Sequence, residues 1–142
     1  MIAYLDSSAI IKWYVADEGG TAQLEAIVTR SSRLATARLT YVEVRAGLAA
    51  ARRANRLARM DHDHAVESFD SSWEALLIVE LSETVGTRAG SIADAFGLRA
   101  GDAIQLASAM ALDAEDTVLV AWDARLRFAA RAAGVATYPA EV

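Results

Sequence analysis

The chain has 142 residues, of which 54% are hydrophobic, and its formal net charge is -5. This length suits one domain, predicted over residues 1–142, with enough chain to bury a core. Membrane spans, disulfides and zinc–thiolate sites are excluded, because no apolar run reaches about 18 residues and there is no cysteine.

Short apolar runs bounded by polar residues or glycine predict five strands along the chain. These strands are predicted at residues 2–5, 34–36, 76–79, 118–122 and 135–138. No secretory signal precedes the first strand, so we expect a cytoplasmic protein without membrane attachment. Helical periodicity fills the intervals between the strands. The alternation predicts a three-layer α/β/α domain with a mainly parallel sheet of four to five short strands.

Helix boundaries are marked by residues that commonly cap helix ends. Candidate N-caps stand at Ser7, Ser8, Thr21, Thr40, Asp61 and Ser82. Glu43 follows Thr40 by three residues, which matches a capping box and gives Glu43 a structural interpretation. Gly97 is predicted to end the helix that starts after Ser82. Residues 16–20 are predicted to form a loop that closes on two glycines.

Four acids stand where strands hand over to helices or where helices begin. Asp6 follows the first strand and Asp123 follows the most apolar one. Glu43 and Asp102 are predicted in the first turns of their helices. Since the carboxyl ends of parallel strands meet at one edge of a sheet, we expect all four acids to converge there. Asp6 keeps a second interpretation, as a cap of the first helix.

Such a cluster of acids needs compensation for its charge. Two carboxylates about 4 Å apart repel by roughly 4 kcal/mol at an effective dielectric constant of 20. Either one acid stays protonated or a cation is bound. No arginine or lysine stands beside Asp6 or Asp123, which favours the cation. Oxygen ligands without histidine or cysteine select Mg²⁺ or Mn²⁺, and such a metal suits phosphodiester hydrolysis.

Other α/β site types fit the sequence less well. The single lysine, Lys12, lies outside any glycine-rich phosphate loop, and no dinucleotide fingerprint is present. An aspartyl-phosphate phosphatase is expected to have an acid two residues after the first, but this position is Ser8. The acids and histidines at 61–64 suggest metal ligands, yet His62 and His64 do not share a helix face. We interpret that run as a helix start.

Four blocks of sequence together resemble the PIN-domain nucleases, in particular the VapC-type toxins of bacterial toxin–antitoxin pairs. The blocks are YLDSSA at 4–9, TYVEVRAGL at 40–48, LRAGDAIQLA at 98–107, and WDARL at 122–126 leading on to the glycine at 134. They occur in order across almost the whole chain. The resemblance implies a metal-dependent endoribonuclease that acts on structured RNA such as tRNA. It also implies neutralisation by a cognate antitoxin and assembly as a homodimer, or as a hetero-oligomer with the antitoxin.

The resemblance also implies roles for individual residues. Asp6 and Asp102 would be direct ligands of the first metal, and Asp123 would bind through water or hold a second ion. Glu43 would orient or deprotonate the attacking water. Ser8 would either hydrogen-bond within the site or cap the helix. At position 105 many members of the family have histidine, whereas this chain has glutamine.

Positive charge is concentrated in residues 38–59, which carry six arginines and one acid. On a continuous helix, the side chains of Arg45, Arg52, Arg56 and Arg59 would form one stripe roughly opposite Glu43. The stripe would then contact RNA only around the rim or from a partner subunit, or else face solvent. Small residues on the side of Glu43 would permit close helix packing.

The sequence thus predicts a Mg²⁺- or Mn²⁺-dependent ribonuclease toxin. The rival hypothesis is a non-catalytic module that binds nucleic acid or an antitoxin with a nuclease-like fold. Retention of four like charges argues against the rival, since an unused acidic cluster destabilises the fold. A third, weaker hypothesis is a phosphatase acting on small phosphate esters.

Overall fold

A computed structural model describes residues 1–15 and 19–140. Its strands form one five-stranded sheet in the order β3-β2-β1-β4-β5, and every pairing is parallel. The strands are β1 (Ile2–Leu5), β2 (Arg33–Ala37), β3 (Leu77–Val79), β4 (Thr117–Val120) and β5 (Ala136–Tyr138). The prediction of a parallel sheet with four to five short strands is therefore confirmed.

Helices connect the strands on both faces of the sheet. They are α1 (Ser7–Ile11), α2 (Thr21–Arg30), α3 (Arg38–Arg53), α4 (Arg59–Trp73), α5 (Glu83–Phe96), α6 (Ala100–Met110) and α7 (Ala124–Ala132). One hydrophobic core lies between the sheet and α1 to α4, and a second lies between the sheet and α5 to α7. The three-layer α/β/α architecture follows directly.

The order of strands reverses at the centre of the sheet. From β1 the chain moves outward to β2 and β3, then crosses back to β4 on the other side of β1. Leu5 and Val120 are register partners at the carboxyl ends of these strands, and the Asp6 N–H donates to the Val120 carbonyl over 3.2 Å. Reversals of this kind open a crevice at the carboxyl edge of the sheet, where α/β proteins bind ligands.

Several predicted helix caps are wrong by one to three residues. The first helix is capped by Asp6, which confirms its second interpretation, and not by Ser7 or Ser8. Gly20, Ala37 and Ala58 stand at the N-cap positions of α2, α3 and α4 without a side-chain cap bond. Ser82 does cap α5, with its Oγ accepting from Val85 N–H at 3.2 Å, and Gly97 ends that helix with φ of 64°. Thr21 is instead the first residue of α2, and Asp61 lies in the first turn of α4.

The capping box predicted at Thr40 does not form. Thr40 lies inside the first turn of α3 and is fully buried, so its hydroxyl makes tertiary contacts instead. Thr36 Oγ1 donates to the Leu5 carbonyl at 2.6 Å and lies at hydrogen-bond distance, 2.8 Å, from Thr40 Oγ1. Glu43 consequently stands in the second turn of α3 with its carboxylate available for other partners.

The predicted arginine stripe is interrupted. Helix α3 ends at Arg53, and Asn55 adopts a left-handed conformation with φ of 58°. Arg56 therefore lies in the connection and Arg59 begins the next helix, so the two do not continue the face of Arg45. Arg45 itself donates to Tyr41 Oη at 2.9 Å and lies 3.9 Å from Asp70.

The small-residue side of α3 packs closely on α1, as expected. Gly47 lies directly against Ile11, where an added Cβ would collide with the Ile11 Cδ1 methyl group. The loop predicted over residues 16–20 lies partly outside the described residues, but Gly19 and Gly20 both have positive φ angles. Within the described ranges, no helix combines the length and apolarity needed to cross a bilayer.

Candidate active site

The four predicted acids lie at the carboxyl edge of the sheet, around the reversal between β1 and β4. Asp6 follows β1, Asp123 is the N-cap of α7 after β4, and Asp102 is the third residue of α6. Glu43 reaches the same edge from α3, where Ser7 Oγ donates to its Oε1 at 3.3 Å. Their carboxylates repel one another electrostatically. Asp102 is repelled by each of the other three acids, and Asp6 is also repelled by Glu43.

Asp6 is the most buried of these acids, with only 4% of its surface exposed. Its Oδ1 accepts from the Ala9 N–H at 2.8 Å, which caps α1, and Ser8 Oγ lies 2.8 and 2.9 Å from the two carboxylate oxygens. Burial raises the pKa of Asp6 to about 7; the bonds from Ala9 and Ser8 oppose this rise, and repulsion from Asp102 and Glu43 adds to it. Asp6 is therefore both a helix cap and a member of the acidic cluster.

Ser8 follows one of its two predicted alternatives. Its hydroxyl contacts the Asp6 carboxylate within the site, and the cap of α1 is provided by Asp6 itself.

Asp102 is the electrostatic centre of the cluster. Partial burial raises its pKa, repulsion from Asp123 and Glu43 raises it further, and Arg99 opposes the rise. Arg99 Nε lies 3.9 Å from Asp102 Oδ2, at the limit of an ion pair, and its side chain is 87% exposed. Since such an exposed contact contributes little, Arg99 compensates only a small part of the negative charge at this edge.

Glu43 is held by a buried hydrogen-bond chain that begins on β1. Tyr4 Oη donates to Gln105 Oε1 at 2.6 Å, and Gln105 Nε2 donates to Glu43 Oε1 at 2.8 Å and to Thr40 Oγ1 at 2.9 Å. Burial raises the pKa of Tyr4 well above its ordinary value, so the phenol remains a donor. Glu43 Oε2 accepts no hydrogen bond from a described residue and lies beside Gly101. The hydrogen-bond chain thus fixes Oε1 of Glu43 and leaves Oε2 open.

Asp123 uses one oxygen to cap α7, with the Leu126 N–H donating to Oδ1 at 2.9 Å. Lys12 Nζ lies 4.8 Å from the ring centroid of Trp122, the residue before Asp123. Lys12 is the C-cap residue of α1, and only 6% of its surface is exposed.

The donor set fits a hard divalent cation, although the acids do not form a closed cage. Among residues 1–15 and 19–140, no three histidine, cysteine or acidic side chains are grouped closely enough to enclose a metal ion. Mg²⁺ does not require such a cage, because it commonly keeps several waters and binds through one or two carboxylates together with substrate phosphates. Carboxylates that raise one another's pKa provide the excess negative charge that such an ion neutralises.

Some residues of this site were not predicted from sequence. Tyr4 and Thr40 resemble ordinary core and cap residues, and only the fold shows that they support Gln105 and, through it, Glu43. The position of Arg99, three residues before Asp102, was a usable signal, since such residues are neighbours on a helix surface. The run at 61–64 lies in α4 as expected, with His62 Nδ1 3.4 Å from Asp63.

Comparison with known proteins places this chain in a family. The PIN domain profile matches residues 3–132. Two Mycobacterium tuberculosis proteins, Ribonuclease VapC45 of strain CDC 1551 / Oshkosh and Ribonuclease VapC49 of strain ATCC 25618 / H37Rv, are each 38% identical over 141 residues, covering 99% of this chain and 97% of their own. A solved toxin–antitoxin complex from Klebsiella pneumoniae has the same fold, with a TM-score of 0.70 at 20% identity and 99% coverage of both chains. The chain belongs to the PIN-domain family and, within it, to the VapC-type ribonucleases.

Proposed function

We propose that this protein is a cytoplasmic, divalent-metal-dependent endoribonuclease toxin that hydrolyses phosphodiester bonds of structured, tRNA-like RNA. The observation that carries the proposal is the set of four acids at the strand-order reversal, whose mutual repulsion helps to raise the pKa of Asp6 and Asp102. A cluster of this kind is costly without a cation, and RNA hydrolysis is a reaction that a cation at such a site accelerates.

In this proposal Asp6 and Asp102 would hold the metal directly, and Asp123 would bind it through water or hold a second ion. A bound Mg²⁺ or Mn²⁺ would supply an acidified water and stabilise negative charge on the phosphate. Ser8 would keep the Asp6 carboxylate in one orientation by contacting both of its oxygens.

Glu43 would act as the general base. Gln105 and Ser7 donate to Oε1, so Oε2 is free to accept the proton of the attacking water. The water oxygen would then bond to phosphorus as the ester oxygen leaves. Because the supporting chain through Gln105 is buried, the carboxylate would be in position before substrate arrives.

Support for RNA as the substrate comes from the two relatives, which are named ribonucleases. Support for an antitoxin partner comes from the Klebsiella pneumoniae structure, which is a toxin–antitoxin complex. We infer by this similarity that a cognate antitoxin neutralises the protein. That the active form is a homodimer is proposed from the resemblance of the sequence to VapC-type toxins alone.

The test is RNA cleavage by purified protein in the presence of Mg²⁺ or EDTA. We expect Asp102→Asn to lower the cleavage rate at least about 100-fold, because it removes a charge coupled to all three other acids. Asp63→Asn is the matched control, since Asp63 is a 63% exposed acid on α4. It should cleave at the wild-type rate.

Cleavage that survives both EDTA and Asp102→Asn would contradict the metal-dependent mechanism. RNA that is bound but not cut by the wild type would favour the rival hypothesis of a binding module, and calorimetry would then show no saturable divalent-ion site. Hydrolysis of nitrophenyl phosphate in preference to RNA would indicate a phosphatase.

A further inference from the structure

An open cleft adjoins the acidic cluster and is not used by the proposed chemistry. It lies between the end of α5 and the first turns of α7 and has a volume of about 320 Å³. Its lining consists of Phe96, Gly97, Ala124, Arg125 and Phe128. Both walls are therefore short segments that lead directly into residues of the site.

The chain connections place this cleft next to the acids. Ala124 follows Asp123, the N-cap of α7. On the other wall, Gly97 is two residues before Arg99, whose guanidinium lies 3.9 Å from the Asp102 carboxylate. A nucleotide bound in the cleft would thus be a neighbour of a phosphate held at the acidic cluster.

Phe128 is an exposed aromatic ring on a helix that is otherwise amphipathic. Its surface is 71% exposed, whereas Leu126, Ala129 and Ala130 of the same helix are buried. Phe128 belongs to neither hydrophobic core, so packing does not explain a phenyl ring at this position. Exposed aromatic rings beside cationic side chains are a common platform for unpaired nucleobases.

One arginine provides positive charge in the cleft itself, and a second, Arg99, follows the lining residue Gly97 by two residues in the chain. Arg125 lines it and makes no hydrogen bond or ion pair with any described residue, and Arg99 is 87% exposed. The protein as a whole carries a charge of -5, and four acids stand at the neighbouring site. An RNA backbone would be repelled by this edge unless local cations attracted its phosphates.

We propose that this cleft is a subsite for an unpaired nucleotide of the RNA substrate, with its base stacked on Phe128 and the flanking phosphates contacted by Arg125 and Arg99. This inference rests on the proposed function, because it takes the strand that reaches the acids to be RNA. It adds which cleft and which side chains hold a nucleotide near the cleaved bond, and it requires the base of this nucleotide to be unpaired, since a base within a duplex has no free face to stack on the ring.

The experiment measures RNA binding without cleavage. All variants carry Asp102→Asn, and the fluorescence anisotropy of a labelled single-stranded RNA of about 12 nucleotides reports the dissociation constant. We expect Phe128→Ala to weaken binding by about 5- to 150-fold, the effect of losing one stacked base. The reference is the protein that carries Asp102→Asn alone. Phe128→Trp should bind RNA at least as tightly as this reference. Phe128→Leu keeps apolar bulk without a ring, so its affinity should resemble that of Phe128→Ala.

Met60→Ala is the matched control, because Met60 is 72% exposed on α4 and does not line the cleft. It should leave the dissociation constant unchanged. Arg125→Gln should lower the slope of log K against log salt by about 0.7, the contribution of one phosphate on a single strand. A fully paired duplex of the same sequence should bind equally to the reference protein and to Phe128→Ala.

Three outcomes would overturn the inference. Equal binding by the reference protein and Phe128→Ala would remove the stacking role while leaving the proposed nuclease function intact. No binding of the single-stranded RNA by the reference protein would remove the subsite while leaving the nuclease proposal intact, provided that the wild type still cleaves structured RNA; failure of that cleavage as well would contradict both proposals. A change in sedimentation from dimer to monomer on Phe128→Ala, with RNA affinity per subunit unaltered, would assign the ring to an interface between two copies of the chain.

Discussion

At the scale of single residues, the site depends on side chains that serve two purposes. Asp6 caps α1 and carries charge in the cluster, and both roles use the same carboxylate because Ala9 N–H binds only Oδ1. Gln105 is similarly shared, since its amide accepts from Tyr4 and donates to Glu43. A neutral amide orients Glu43 without adding charge. A histidine at this position would add a positive charge when protonated.

This arrangement predicts a loss of activity when the Gln105 amide is removed. Gln105→Leu should lower kcat by about 10- to 100-fold with little change in KM, because Glu43 loses its main orienting bond while the RNA contacts remain. Single-turnover cleavage with saturating Mg²⁺ separates the two constants. The variant should also lose about 1–3 kcal/mol of stability, since Tyr4 Oη is left buried without an acceptor.

Two further variants distinguish orientation from packing. Gln105→His retains a donor and should keep kcat within a few-fold of wild type, whereas Gln23→Leu, at an exposed glutamine of α2, should change nothing. An equal loss of kcat in Gln105→His and Gln105→Leu would contradict the orienting role of the Gln105 amide, and no loss in Gln105→Leu would indicate that Gln105 only fills space.

At the scale of helices and strands, the site is built from helix beginnings. Asp102 lies in the first turn of α6 and Asp123 caps α7, and the partial positive charge at a helix N-terminus favours an acid at either place. Helix α6 also brings Gly101 against Glu43, so that an added Cβ would lie 3.0 Å from Glu43 Oε2. A side chain at position 101 would therefore force the end of the Glu43 side chain to move.

Gly101→Ala separates stability from activity. Alanine is favoured over glycine in a helix by roughly 0.5–1 kcal/mol, so the melting temperature should stay the same or rise. The added methyl would displace the free oxygen of Glu43, and we expect kcat to fall about 10-fold. Thermal denaturation and cleavage kinetics measured on the same preparation test both parts.

Gly90→Ala on α5 is the matched control, because nothing lies within 4 Å of its added Cβ. It should gain the same helix stability and keep full activity. Full activity of Gly101→Ala would contradict the role given to the open oxygen of Glu43.

At the scale of the whole molecule, the sheet places four acids around one crevice, and their mutual repulsion lowers the free energy of unfolding. The pKa of Asp6 is raised from 3.8 to about 7, so the folded state binds a proton in this range that the unfolded state has released. The free energy of unfolding of metal-free protein should therefore fall as pH rises from about 4 to 7. The raised pKa of Asp102 acts in the same direction.

Denaturant unfolding in EDTA measures this dependence, and we expect a loss on the order of a few kcal/mol between the ends of the range. Asp6→Asn keeps the cap acceptor but cannot ionise, so it should flatten the profile and exceed the wild type in stability at pH 8. Asp63→Asn should leave the profile unchanged. Metal-free stability that rises with pH would contradict the raised pKa of Asp6.

Addition of Mg²⁺ should reverse the trend. A cation that binds the ionised acids stabilises the folded state in proportion to its binding, so the melting temperature should rise at pH 8 and much less at pH 5, where protons compete. Differential scanning calorimetry with Asp102→Asn as the comparison tests this, and that variant should show a smaller shift at pH 8.

The sequence by itself determined the alternation of strands and helices, the acids at Asp6 and Asp123, and the family. These features depend on local periodicity and on residues that are adjacent in the chain, and such local patterns can be identified without knowledge of the tertiary contacts. It also identified Glu43 and Asp102 through short motifs, although their roles in the reaction remain predictions.

Only the tertiary structure decided which residues meet across the chain. The crevice between β1 and β4, the hydrogen-bond chain from Tyr4 to Glu43 and the cleft beneath Phe128 join residues that are far apart in sequence. The cap at Thr40 failed for the same reason, because buried partners on β2 and α6 took its hydroxyl. Local patterns cannot specify such contacts, since they depend on strand order and on the distance at which helices pack.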